Sequence, residues 1–134
     1  MRRNRGSILV LTGLLLAGSV AAQPFADYTG SQLYQRFCAS CHGAGGFGDG
    51  PVAASFKTLM PDLTELQRRS GGRFPADRVR RIIDGRQGLS AHGSREMPVW
   101  GHEFGVGQGA DGAAQAEAAQ MVDRLVQYLR SIQR

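Results

Sequence analysis

Two cysteines with two residues between them are followed at once by a histidine, as Cys38-Ala39-Ser40-Cys41-His42, and the chain has no other cysteine. This spacing restricts the fold more than any other feature, because C-x-x-C-H is the pattern of covalent haem attachment. Each residue type has a chemical task. Two thiols add to the two vinyl groups of the porphyrin as thioethers, and the adjacent imidazole reaches the iron through a ring nitrogen. A chain attached in this way must fold around a large, flat, apolar group. Other uses of a cysteine pair fit less well. A thioredoxin-like redox pair belongs in a βαβ setting, and no stretch here alternates with the two-residue period of a strand. A zinc site wants four ligands, and His92 and His102 stand at no common ligand spacing from the pair. A disulfide across two intervening residues closes too small a loop to stabilise much.

The start of the chain reads as an export signal. Arg2, Arg3 and Arg5 form a positive region, Ile8 to Val20 is mostly apolar, and Ser19-Val20-Ala21-Ala22 offers the small residues of a cleavage site. The expected organisation is a cleaved signal peptide over 1–22 and one domain over 23–134, with cleavage after Ala22 preferred and Ala21 next. The apolar run falls short of the roughly 20 residues that span a bilayer. No stable membrane insertion is expected once it is removed, and the expected location is the periplasm. Cleavage takes three of the 16 basic residues and none of the 11 acidic ones. The strongly basic balance then largely disappears, and with it the case for nucleic-acid binding. Nineteen glycines make the chain loop-rich. A domain of this size has little core to spare, and a haem helps fill it.

The helical signals are short and separate. Residues 23–28 read as a disordered lead. Thr29-Gly30-Ser31-Gln32 is a capping box, opening a helix with Leu33, Tyr34, Phe37, Cys38 and Cys41 on one face. Gly43 to Pro51 is a glycine-dense loop. Asp62-Leu63-Thr64-Glu65 has the character of a cap and starts a short helix ended by Gly71-Gly72. Pro75 or Ala76 opens another, with Val79, Ile82 and Ile83 inward and Gly85 as its stop. Residues 87–109 read as irregular. Asp111 caps a last helix from Gly112, whose apolar stripe is Ala118, Met121, Val122, Leu125, Tyr128, Leu129 and Ile132.

With these pieces in place the sequence resembles the class I cytochromes c, in particular the bacterial monohaem group. The resemblance covers most of residues 29–132. Its specific parts are Cys41-His42-Gly43 with Gly48-Asp49-Gly50-Pro51, and Met97-Pro98-Val99-Trp100-Gly101. It implies an all-α fold of three to five helices wrapped around one covalent haem c, with the first and last helices packed together. Gly30, Tyr34, Leu125 and Tyr128 match the family's crossing positions. It also implies His42 and Met97 as the iron ligands, with Met60, His92 and His102 as rivals for the second place. A neutral, soft thioether favours ferrous iron relative to an imidazole and raises the potential. Pro51 is implied as the carbonyl that accepts the other ring N–H of His42. Trp100 is a candidate partner for a haem propionate, and Arg73 and Arg86 are candidates to neutralise one.

The function expected is that of a periplasmic electron carrier between redox proteins, a monomer and not itself an enzyme. The alternative is an electron-relay subunit of a dehydrogenase or terminal oxidase, which this sequence would fit equally well. Arg68, Arg69, Arg73, Arg78, Arg80, Arg81 and Arg86 face only Asp77 and Asp84 within their segment. That basic cluster reads either as solvated helix faces or as a docking surface for an acidic partner.

Overall fold

The computed structural model describes residues 25, 27–85, 97–104 and 112–134. The expected signal peptide, Arg86, His92 and Asp111 lie outside the described residues. Among those described, all regular structure is helical: α1 (Gly30–Phe37), α2 (Ala39–His42), α3 (Leu66–Arg69), α4 (Ala76–Ile83), α5 (Trp100–Phe104) and α6 (Gly112–Ser131). Two 3-10 turns, Ala53–Ser55 and Leu63–Glu65, complete the set. The all-α expectation holds. The tally passes the expected three to five because α2 and α3 are turns of four residues.

Helix α1 starts where the capping box sits. The Thr29 hydroxyl accepts from the Gln32 amide at 3.2 Å, and the Gln32 side chain accepts from the Thr29 amide at 2.9 Å. Its inner face buries Leu33 and Tyr34 completely. That face crosses α6, whose buried stripe runs Ala118, Met121, Val122, Leu125, Val126 and Leu129. Gly30 permits the crossing, since a Cβ there would stand 2.2 Å from the Arg124 carbonyl oxygen and 2.9 Å from the Tyr128 Cβ. The Tyr34 and Tyr128 rings meet beside it at 5.1 Å. This is the close approach that the family resemblance predicts at those positions.

Helix α4 buries Val79 and Ile83 and ends at Gly85, whose φ of 78° is the left-handed conformation of a helix stop. An ion pair from Arg80 to Asp123 ties α4 to α6. Two expectations need correction. Residues 87–109 contain helix α5, which packing creates rather than propensity. Trp100 and Phe104 stack at 5.6 Å, and both close on Phe37, at 5.1 and 5.2 Å. Gly101 lets the helix approach the residue that follows α4, because a Cβ there would stand 2.9 Å from the Asp84 Cα. The second correction is at Phe25, which is not part of a loose lead: its ring meets Phe37 edge-on at 5.0 Å.

Candidate haem-binding site

Cys38 closes α1, and Cys41 and His42 lie on α2, the turn that carries the helix onward after a single break. The amides of His42 and Gly43 still donate to the carbonyls of Cys38 and Ala39, both at 2.9 Å. The motif is therefore presented on nearly continuous helix, with both sulfurs and the imidazole on one short span. A helix end leaves carbonyls without partners, and the glycine-rich loop supplies them. Val52 donates to the Ser40 carbonyl at 3.1 Å, Gly48 to that of His42 at 2.8 Å, and Gly46 to that of Gly43 at 3.1 Å. The buried Tyr34 hydroxyl also donates to the Gly43 carbonyl, at 2.7 Å. Burial, reinforced by the Cys38 thiol, pushes this phenol well above its usual range, so it stays a donor. Gly50 fits flush on the motif: a Cβ there would stand 2.4 Å from the Ser40 carbonyl oxygen and 2.5 Å from the Cys41 carbonyl carbon. The Gly48-Asp49-Gly50-Pro51 segment is thus a brace for the attachment turn.

The electrostatics match a haem site better than a thiol-redox site. Burial, with a smaller contribution from Cys41, pushes the Cys38 thiol up to about 12. A redox-active C-x-x-C pair does the opposite and holds a low-pKa thiolate. Burial also holds the His42 imidazole below its usual range, against the opposing pull of the Pro61 carbonyl. A neutral imidazole is the ligating form. Its Nδ1 is buried without a hydrogen-bond partner. A ring that binds metal through one nitrogen offers the other as a donor to a nearby carbonyl, so the residues fit the group.

The other predicted residues divide clearly. Pro51 is exposed in the turn before Ala53–Ser55. Met97 and Trp100 are half-buried and pack on the same core as Phe37 and Cys38. Met60 is half-buried beside Pro61, with its carbonyl turned onto Gly48, where a Cβ would stand 2.4 Å from it. Arg73 and His102 are exposed, and Arg86 and His92 lie outside the described residues. Sequence reading missed the pull of the Pro61 carbonyl on the histidine, because the preceding Met60 draws attention as a rival ligand. It also missed the Tyr34 hydroxyl, which periodicity counts only as a core face.

No helix among the described residues is long and apolar enough to cross a membrane. No group of three or more His, Cys, Asp or Glu side chains able to hold a metal ion occurs among them. No curated protein matches the chain, and no solved structure matches it. A family model does match, over residues 26–129, and its description is cytochrome c oxidase, cbb3-type, subunit III. With most of its length inside that match, the chain belongs to this class I-like cytochrome c family, and is a protein of covalently bound haem c and electron transfer.

Proposed function

We propose that the chain is exported, loses residues 1–22, and works in the periplasm as a monohaem cytochrome c that passes single electrons between redox proteins. Cys38 and Cys41 hold the haem as thioethers, and His42 and Met97 are its iron ligands. The observation that carries this reading is the attachment turn itself. Both thiols and a neutral, buried imidazole share one helical span, and the loop after it satisfies that span's carbonyls. Met97 is favoured over Met60 by location. Met60 follows His42 by only 18 residues, with its carbonyl on Gly48, whereas Met97 comes from a distant segment that packs on the same core as Cys38. When bound, the haem supplies reversible one-electron chemistry. The chain's own residues hold it, shield it from water and tune it. Trp100, in the aromatic cluster, is a candidate contact for the haem.

The family's description favours a second reading, in which the chain is the electron-relay subunit of an oxidase. In either case its partners are redox proteins, and the basic segment is the surface to test. Arg80 is ion-paired to Asp123, so reversing it would disturb the fold. Arg73 and Arg78 are exposed and are the better probes. The holoprotein should first keep its haem through denaturing electrophoresis, and Cys38→Ala with Cys41→Ala should abolish that. Electron transfer with a cytochrome oxidase should then slow steeply with salt, because exposed charges are screened beyond about 8 Å at physiological ionic strength. Arg73→Glu with Arg78→Glu should slow it at low salt. Haem staining that survives in the double cysteine variant would refute the site, and a rate indifferent to salt and to both reversals would refute the docking surface.

A further inference from the structure

The chain ahead of α1 is tied to the segment that carries Met97. The Phe25 carbonyl accepts from the Tyr28 amide at 3.1 Å, a turn that folds the Phe25 ring back onto the domain. That ring meets Tyr28 edge-on at 5.3 Å and Phe37 edge-on at 5.0 Å. Phe37 is the last residue of α1 and the neighbour of Cys38. It also touches both rings of α5, Trp100 at 5.1 Å and Phe104 at 5.2 Å. Phe37 thus links Phe25 to α5. The stretch from Met97 to Trp100 has little slack of its own. Val99 fills the space beside Gly85, where a Cβ would stand 2.2 Å from its Cγ1, and its carbonyl accepts from the amides of His102 and Glu103 at 2.9 and 3.0 Å. Met97 is itself half-buried on the same core, and three residues of chain reach at most about 11 Å from Trp100.

We infer that Phe25 is a positioning residue for the sixth-ligand side of the haem: by backing the Phe37 ring it holds α5 in place and keeps Met97 on the iron. This rests on the reading above that Met97 ligates the iron. The described ring contacts of Phe25 are with Tyr28 and Phe37, so its effect on α5 passes through Phe37. An edge-to-face pair is directional, because the positive edge of one ring meets the negative face of the other. Phe25 therefore fixes the tilt of Phe37, where an aliphatic side chain would only fill volume. With that support gone, Phe37 gains room to turn, and the two rings of α5 lose the surface on which they close. Met97 then leaves the iron more often. An added ligand for the sixth position binds only the opened form, so its apparent affinity scales with the fraction open.

The test is an imidazole titration of ferric holoprotein, followed by loss of the sulfur-to-ferric absorption as Met97 is displaced. Phe25→Ala should lower the imidazole dissociation constant roughly twofold to tenfold, the range set by one edge-on aromatic pair. The amides of His102 and Glu103 should exchange hydrogen faster by a similar factor, and those of Leu125 and Val126 in α6 should not. Phe25→Tyr, which keeps the ring, should restore the wild-type constant, and Phe25→Leu should fall between. Ile132→Val is the control. It trims a half-buried side chain beside Gly46, and it should lower the melting temperature without moving the constant. A Phe25→Ala protein that melts earlier at unchanged constant and exchange would make Phe25 merely structural and overturn the inference. Equal tightening in Ile132→Val would overturn it in favour of general loosening. The effect of Phe25→Ala should also shrink when Phe37 is already leucine, and an undiminished effect there would refute the route through Phe37. Should Phe25→Ala fail to load haem, Phe25→Leu must shift the constant in the same direction, and no shift overturns the inference. Sulfur-to-ferric absorption that survives in Met97→Ala would instead sink the ligand reading itself.

Discussion

Replacing Gly50 by alanine tests whether the loop really braces the attachment turn. The added methyl would stand 2.4 Å from the Ser40 carbonyl oxygen, and 2.5 and 2.6 Å from the Cys41 carbonyl carbon and oxygen. That is roughly 1 Å closer than ordinary van der Waals contact. All three neighbours are backbone, so no rotamer change relieves the conflict, and the loop must lift away from the turn. Overpacking of this kind costs about 1–3 kcal/mol. The bond from Val52 to Ser40, 3.1 Å long, goes with it, at about 1 kcal/mol. Restriction of the unfolded chain returns up to about 1 kcal/mol. The net loss of about 1–3 kcal/mol should lower the melting temperature by roughly 5–20 °C. Thermal unfolding of the holoprotein, followed by far-UV and Soret circular dichroism, measures it, and haem staining should show reduced attachment. Gly112→Ala is the comparison. It meets nothing within 4 Å and should stay within about 0.5 kcal/mol of wild type. A Gly50→Ala protein with full haem and an unchanged melting temperature would refute the brace.

Gly30→Ala should destabilise by about 1–3 kcal/mol, and Tyr128→Ala should not rescue it in thermal melts, because the closest clash is with the Arg124 carbonyl. Burial works to raise the Asp62 carboxyl, but hydrogen bonds from the Thr64 hydroxyl and amide, with the bond and charge of Arg134, outweigh it and hold the group below its usual range. A depressed carboxylate stabilises the fold above its unfolded pKa and stops doing so as pH falls through the folded value. The melting-temperature gap between wild type and Asp62→Asn should therefore be widest near neutrality and close between about pH 5 and pH 2. Oxidised protein should show weak absorption near the red edge from sulfur-to-ferric charge transfer. It should vanish in Met97→Ala and persist in Met60→Ala, and the reverse pattern would move the ligand to Met60.

What the sequence determined by itself was whatever a few neighbouring residues decide. The attachment motif is such a feature, because both thiols and the imidazole must fall within one helical turn. The Thr29–Gln32 capping box, the Gly85 stop and the stripe of α6 are others, since each depends on spacing along a single helix. The resemblance to a known family added the Gly30 crossing, which spacing alone does not reveal. The tertiary structure decided the rest. Four prolines follow His42, and nothing local tells which of them the fold brings near it. The Pro61 segment lies against the attachment loop because Leu63 bonds back to Gly46 and the segment after α6 holds residues 62–64. Helix α5 forms in a stretch of poor helical pattern because its aromatic rings close on Phe37. Arg134 and Asp62 are 72 residues apart, and Arg80 meets Asp123 only once α4 lies on α6. Such contacts carry no periodic signal, because the entropy of closing a long loop must be met before any of them can form, and only the packing of the whole chain meets it.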